Sequence, residues 1–157
     1  MILSHCDTLN WLIITMAIQL NLPSIRAELG MSQRELALSL GVSIRAIQSS
    51  EQEWRALSPA FERLLLLLLL TKRHGDQLHQ FACWTSRQGA QEQCARCITY
   101  TSQQGYLCWL LTGNRCHEHT TPNYRDKLTY CTECAFFQQL FSPDTFLYNA
   151  EPHTTTS

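Results

Sequence analysis

Between residues 24 and 51 the apolar positions recur at helical spacing, and residues that cap or end helices interrupt them. Leu36, Ala37 and Leu40 stand at one- and four-residue offsets that put them on one helix face. Ser32 stands before this segment, with Glu35 three residues on, the order of a capping box. Gly41 ends it, because a left-handed backbone carries no Cβ penalty at glycine. Ser43 caps the next segment and Ile47 turns it inward. The pattern predicts two helices joined by a short turn across one apolar seam. Residues 64–70, seven leucines in a row, read as the last helices of the same unit. A helix apolar on every side must bury every side, so part core and part dimer surface is expected. Neither this run nor the apolar stretch 11–18 reaches the roughly 20 residues of a membrane span.

The order Ser32-Gln33, Glu35-Leu36-Ala37, Leu40-Gly41-Val42-Ser43, Ile47, Glu51 resembles the Cro/repressor type of helix-turn-helix over about residues 22–72. The resemblance implies a unit of five short helices and double-stranded DNA as partner, with the second helix of the motif in the major groove. It implies that Gln33 contacts a phosphate and that Ser43, Ile44, Arg45, Ala46 and Ser49 face the groove. Arg26 and Glu51 match a buried ion pair of that family. Among the groove-facing residues Arg45 has the chemistry to read a base, because arginine grips guanine O6 and N7 bidentately. Its alternative is a phosphate contact, the commoner kind of protein–DNA hydrogen bond. After Glu51 the chain departs from the family, with Gln52-Glu53-Trp54-Arg55 in place of an Asn/Gly-Gly turn.

Charge refines this reading. The net charge of −1 hides an asymmetry: residues 23–74 hold seven Lys/Arg against five Glu, while residues 75–157 hold five Lys/Arg against seven Asp/Glu. The positive part coincides with the motif, as binding through counterion release requires. A surplus of two charges is weak, so a homodimer is expected.

Eight cysteines in 157 residues point to a second chemistry. Nothing at the N-terminus reads as a signal peptide, since Met1–Asp7 has no basic segment, and a DNA-binding protein is expected to work in the reducing cytoplasm, where paired cysteines favour metal over disulfides. Beyond residue 80 lies a crude repeat: Cys83-Trp84 then Cys94-x2-Cys97, and Cys108-Trp109, Cys116 then Cys131-x2-Cys134. A two-residue spacer turns the chain back so that both thiolates reach one ion. Cys83, Cys94, Cys97, Cys108, Cys116, Cys131 and Cys134 are the candidate metal ligands, with His117 or His119 as an eighth. Zinc is the expected metal, and an iron–sulfur cluster on Cys108, Cys116, Cys131 and Cys134 is the alternative. His74 and His79 read as solvated linker residues, and Cys6 as an isolated thiol.

Residues 81–140 are similar to bacterial two-CW cysteine-rich domains. The likeness rests on Cys83-Trp84, Cys94, Cys108-Trp109 with Thr112-Gly113 and Cys116, Lys127, and Cys131-x2-Cys134 with Phe136-Phe137. It implies a metal-binding or redox-linked accessory domain. Cys97 stands in for a cysteine expected sooner after Cys83-Trp84.

The expected fold is mainly α: a five-helix Cro/repressor-like unit, then a small metal-stapled domain with little regular structure. The expected layout is an extension over 1–21 (with Met16 as an alternative start), the DNA-binding domain over 22–72, a linker over 73–80, the cysteine-rich domain over 81–140 and a tail over 141–157. The expected function is a sequence-specific transcription regulator. A metal-stapled adaptor tethered to DNA is the second reading. No carboxylate pair, Ser/His/Asp set or glycine-rich phosphate loop stands in the chain, so neither an enzyme nor a small-molecule substrate is expected.

Overall fold

A computed structural model describes residues 17–86, 94–113 and 123–149. The protein is mainly helical. Among the described residues there are seven α-helices: α1 (Leu22–Leu29), α2 (Gln33–Leu40), α3 (Ile44–Glu51), α4 (Pro59–His74), α5 (Ile98–Thr101), α6 (Tyr124–Thr132) and α7 (Ala135–Leu140). Two four-residue strands, β1 (Ala17–Leu20) and β2 (Phe146–Asn149), complete the regular structure. No described helix is long and apolar enough to cross a membrane.

Local chemistry sets the helix ends. Ser32 accepts from the Glu35 amide at 3.2 Å while the Glu35 carboxylate accepts from the Ser32 amide at 2.7 Å, the full capping box. Gly41 closes α2 at φ 67°, and the Ser43 hydroxyl caps α3 through the Ala46 amide at 3.2 Å. Residues 22–74 thus form four helices where five were expected. The leucine run accounts for the difference: Pro59 starts α4, and no glycine or proline interrupts it before Gly75. Lys72, Arg73 and His74 fill its last turn, where cations favour the helix dipole.

The run does not bury all its faces equally. Glu62, Leu65, Leu66, Leu69 and Leu70 form the buried stripe, Leu64 is exposed, and Leu67 and Leu68 are half-buried.

The two ends of the described chain are joined. β1 pairs antiparallel with β2, Ala17 opposite Asn149 and Leu20 opposite Phe146. The Asn21 amide continues the contact to the Thr145 carbonyl at 2.8 Å. Residues 17–20 of the expected extension and 146–149 of the expected tail are therefore one small sheet. The expected linker is also structured. α4 passes into a 3-10 turn over Gly75–Gln80, and His74 packs edge-on against Phe81 at 4.7 Å and hydrogen-bonds the Leu140 carbonyl at 3.1 Å. His74 is therefore a packing residue and not a solvated one.

One hydrophobic core results. It runs from Ile18, Leu22 and Ile25 through Leu36, Ile47 and the α4 leucines to Trp109, Leu128, Phe136 and Phe146. Two polar ties cross it. Arg125 donates from Nη2 to Glu62 Oε1 and to the Leu57 carbonyl, both at 3.0 Å, and Arg63 lies 4.2 Å over the Tyr124 ring. Burial pushes the Glu62 carboxyl up, against the smaller lowering effect of Arg125. A raised folded value means that this contribution to stability is complete below the unfolded value of 4.5 and is lost as pH rises through the higher folded value. Glu62→Gln is expected to remove that component of the pH–stability profile. Denaturation midpoints measured from pH 4 upward would test it, and profiles that stay parallel would refute it.

Candidate nucleic-acid interface and cysteine centre

α2 and α3 form the candidate nucleic-acid interface. Ile47, fully buried, anchors α3 in the core. A polar lock holds its other end: Arg26 Nε donates to Glu51 Oε1 at 2.5 Å, and Gln33 Nε2 donates to Glu51 Oε2 at 2.6 Å. Arg26 also donates to the Met31 carbonyl at 3.1 Å, which ties the lock to the turn before α2.

The outer face of α3 presents Ser43, Ile44 and Arg45, all exposed, with Ala46 and Ser49 half-buried beside them. Ser43 spends its hydroxyl on the helix cap and is partly committed already. Gln33 is half-buried, and its amide is engaged at both ends, by Glu51 and by Gln48 at 3.4 Å. In this arrangement Gln33 orients α3. Its carbonyl end is the freer one, because the Gln48 contact is long.

Gln48 was missed in the sequence. It is exposed on α3, one turn beyond Arg45 and Ile44, and that i+3, i+4 spacing was the signal that could have found it. The departing segment after Glu51 forms a tight turn. Glu53 takes a left-handed backbone at φ 59°, the Trp54 amide donates to the Ser49 carbonyl at 3.0 Å, and the Trp54 side chain is 80% exposed.

Among its described residues the cysteine half contains three short α-helices, more order than its composition suggested. Its two Cys-x2-Cys segments have the same backbone. The Cys97 amide donates to the Cys94 carbonyl at 2.8 Å and the Cys134 amide to the Cys131 carbonyl at 2.9 Å. Cys97 (φ −81°, ψ 128°) and Cys134 (φ −81°, ψ 123°) then stand at the N-caps of α5 and α7. The sequence repeat is thus a repeat of structure. Each turn folds its two cysteines back toward each other, as a shared ion requires.

The Cys-Trp segments also meet. The 3-10 turns Cys83–Thr85 and Gly105–Leu107 pack together, and Gly105 is the point of closest approach. A Cβ at Gly105 would lie 2.6 Å from Ala82 Cα and 2.9 Å from the Cys83 amide nitrogen. Trp84 stacks edge-on against Tyr100 at 5.0 Å, and Trp109 against Phe141 at 5.3 Å.

Cys108 and Cys131 belong to the main core, Cys83 and Cys134 pack against it, and Cys94 is buried outside it. Cys97 is half-buried and hydrogen-bonds the Thr99 hydroxyl at 3.1 Å. Cys6, Cys116, His117 and His119 lie outside the described residues. Among the described residues no three His, Cys, Asp or Glu side chains are assembled as a metal site. The donor chemistry nonetheless fits a metal in the second unit. Cys131 and Cys134 share one hydrogen-bonded turn, Cys108 is buried, and the Nζ of Lys127, one helical turn before Cys131, is buried without a hydrogen-bond partner.

Comparison with protein-family models, with curated proteins and with solved structures found no match. The functional reading therefore rests on the geometry of these two sites.

Proposed function

We propose that this chain is a sequence-specific, double-stranded-DNA-binding transcription regulator whose cysteine-rich half holds zinc. The observation that supports it most is the setting of α3: buried through Ile47, locked through Glu51 and exposed at Ser43, Ile44 and Arg45. A rigid helix of eight residues with such a face suits a major groove about 12 Å wide. The sequence of α2, the turn and α3 resembles the Cro/repressor type of helix-turn-helix, which supports the same reading. The modest positive surplus calls for two copies on one operator, whose half-sites would lie about 34 Å apart. Leu64, with Leu67 and Leu68 beside it on α4, offers an apolar face for that homodimer.

Selection from random duplexes, followed by competition binding, tests the reading. Arg45→Ala is expected to lower the preference for the selected site by about 1–3 kcal/mol, roughly fivefold to 150-fold, and to leave non-specific binding nearly unchanged. Recovery of no preferred sequence by the wild type would overturn it.

The adaptor reading has one observation in its favour: Leu38 and Trp54 are large apolar side chains at 75% and 80% exposure. An adaptor would keep its partner when Arg45 is replaced. Iron–sulfur chemistry on the same thiolates is the other form of the cysteine centre. Metal analysis and the visible spectrum of anaerobically purified protein separate the two, since zinc protein is colourless and cluster protein brown.

A further inference from the structure

α6 carries a buried cation that no other described group neutralises. Its inward face is Tyr124, Lys127, Leu128 and Cys131, at helical spacing, so Lys127 occupies a position where an apolar residue belongs. Lysine ordinarily keeps its ammonium in water by extending along the surface. Here only 3% of the residue is exposed, and Nζ has no hydrogen-bond partner among the described residues. The ion pairs of the described residues join Arg26 to Glu51, Arg73 to Glu28 and Arg125 to Glu62, and none includes Lys127. The acids nearest in sequence, Asp126 and Glu133, are exposed, and Asp126 is engaged with Asn123. A buried charge persists in a fold only where something of opposite sign compensates it.

Position points to the compensating group. Residues four apart on a helix are surface neighbours, with about 5–6 Å between their Cβ atoms, and side chains lean toward the helix N-terminus. Cys131 therefore leans toward the turn that carries Lys127. Trp109 Nε1 and Tyr124 Oη are also buried without a partner, so this half has donors in surplus. The unpartnered carboxylate oxygen, Glu62 Oε2, belongs to a group that already holds Arg125.

We propose that Lys127 is the built-in counter-ion of an anionic thiolate–metal centre on Cys131 and Cys134, an inference that rests on the zinc reading above. A divalent ion bound by three or more thiolates is net anionic. Such a centre supplies the negative charge and the acceptors that Nζ lacks. Binding of the metal releases the thiol protons to solvent. Without metal, Nζ stays buried with no such acceptor. Lys127 therefore penalises the metal-free fold and favours the loaded one, which links metal occupancy to the core shared with the DNA-contacting helices.

The test is a crossed pair of measurements on the full chain, using Lys127→Met and the charge-retaining Lys127→Arg. Metal affinity is read by competition with a chromophoric chelator for zinc, and ligand geometry by the thiolate charge-transfer bands of cobalt. Lys127→Met is expected to bind zinc at least tenfold more weakly, yet to melt at the same or a higher temperature than wild type when both are metal-free and reduced. Lys127→Arg is expected to stay within about threefold of wild type for zinc. Wild-type zinc affinity in Lys127→Met would overturn the proposal. A Lys127→Met protein that is destabilised or unfolded without metal would also overturn it, because the ammonium would then have another partner. A wild type that takes up neither zinc nor cobalt would remove the metal centre itself, a failure separate from that of Lys127.

Discussion

Trp109→Ala is expected to unfold α2 and α3 together with the cysteine half, at a cost of about 3–5 kcal/mol. Trp109 is fully buried and packs edge-on against Phe141. Phe141 touches Phe137 and Phe146, with ring centroids at 4.8 and 6.4 Å. Phe146 opposes Leu20 across the β1–β2 pair, and β1 leads directly into α1. A cavity opened at Trp109 therefore weakens contacts that hold the start of α1, against which the later helices pack. Hydrogen exchange measured across α2 and across α6 checks this. The two are expected to lose protection at one denaturant concentration, lower than in wild type. If α2 kept its wild-type protection while α6 lost it, the two halves would fold independently and the shared core would carry no coupling.

Replacing Glu51 by Gln is expected to cost about 2 kcal/mol and, under the proposed function, to weaken specific DNA binding, although the side chain is mostly buried and bound to Arg26 and Gln33. Glu51 holds Arg26 and Gln33 at once, so its loss leaves two polar side chains without their charged acceptor. The pair is partly buried, 24% exposed at Arg26 and 9% at Glu51, which keeps the cost below that of a fully buried ion pair. Burial pushes the Glu51 carboxyl up, but the hydrogen bonds from Arg26 and Gln33 and the Arg26 charge together outweigh it, and the net shift is downward. A lowered folded value gives stability that is present above the unfolded value of 4.5 and is lost as pH falls through the folded one. The sign is opposite to that of Glu62. The gap between wild type and Glu51→Gln is therefore expected to narrow in acid, and denaturant titrations from pH 7 down to pH 3 measure it. A gap that stays constant over that range would exclude charge as its source.

The parts of both sites that were legible in the sequence are those governed by neighbours a few residues away. Ser32 with Glu35, Gly41 and Ser43 mark the ends of α2 and the start of α3, because caps act within one turn. The Cys-x2-Cys spacing carried its own backbone turn, and both copies adopt it. α6 was less legible. Its cap is also local, with Asn123 accepting from the Asp126 amide at 2.9 Å, but cysteines and aromatics over residues 124–137 obscured the helical spacing of Tyr124, Leu128 and Cys131. Gln33 illustrates a different limit. Its position at the start of α2 was legible, but its engagement by Glu51 depends on a residue 18 positions away.

By itself, the sequence determined the capped helices, the two cysteine turns and the chemistry available on the outer face of α3. Each of these follows from dihedral preferences and hydrogen bonds spanning three or four residues. Only the tertiary structure decided that residues 17–20 and 146–149 form one sheet, that the two halves share a core, that His74 is packed and that Lys127 is buried. Those outcomes depend on which apolar surfaces meet across more than a hundred residues of chain. Burial is non-directional and summed over the whole molecule, so no short stretch of sequence carries its result.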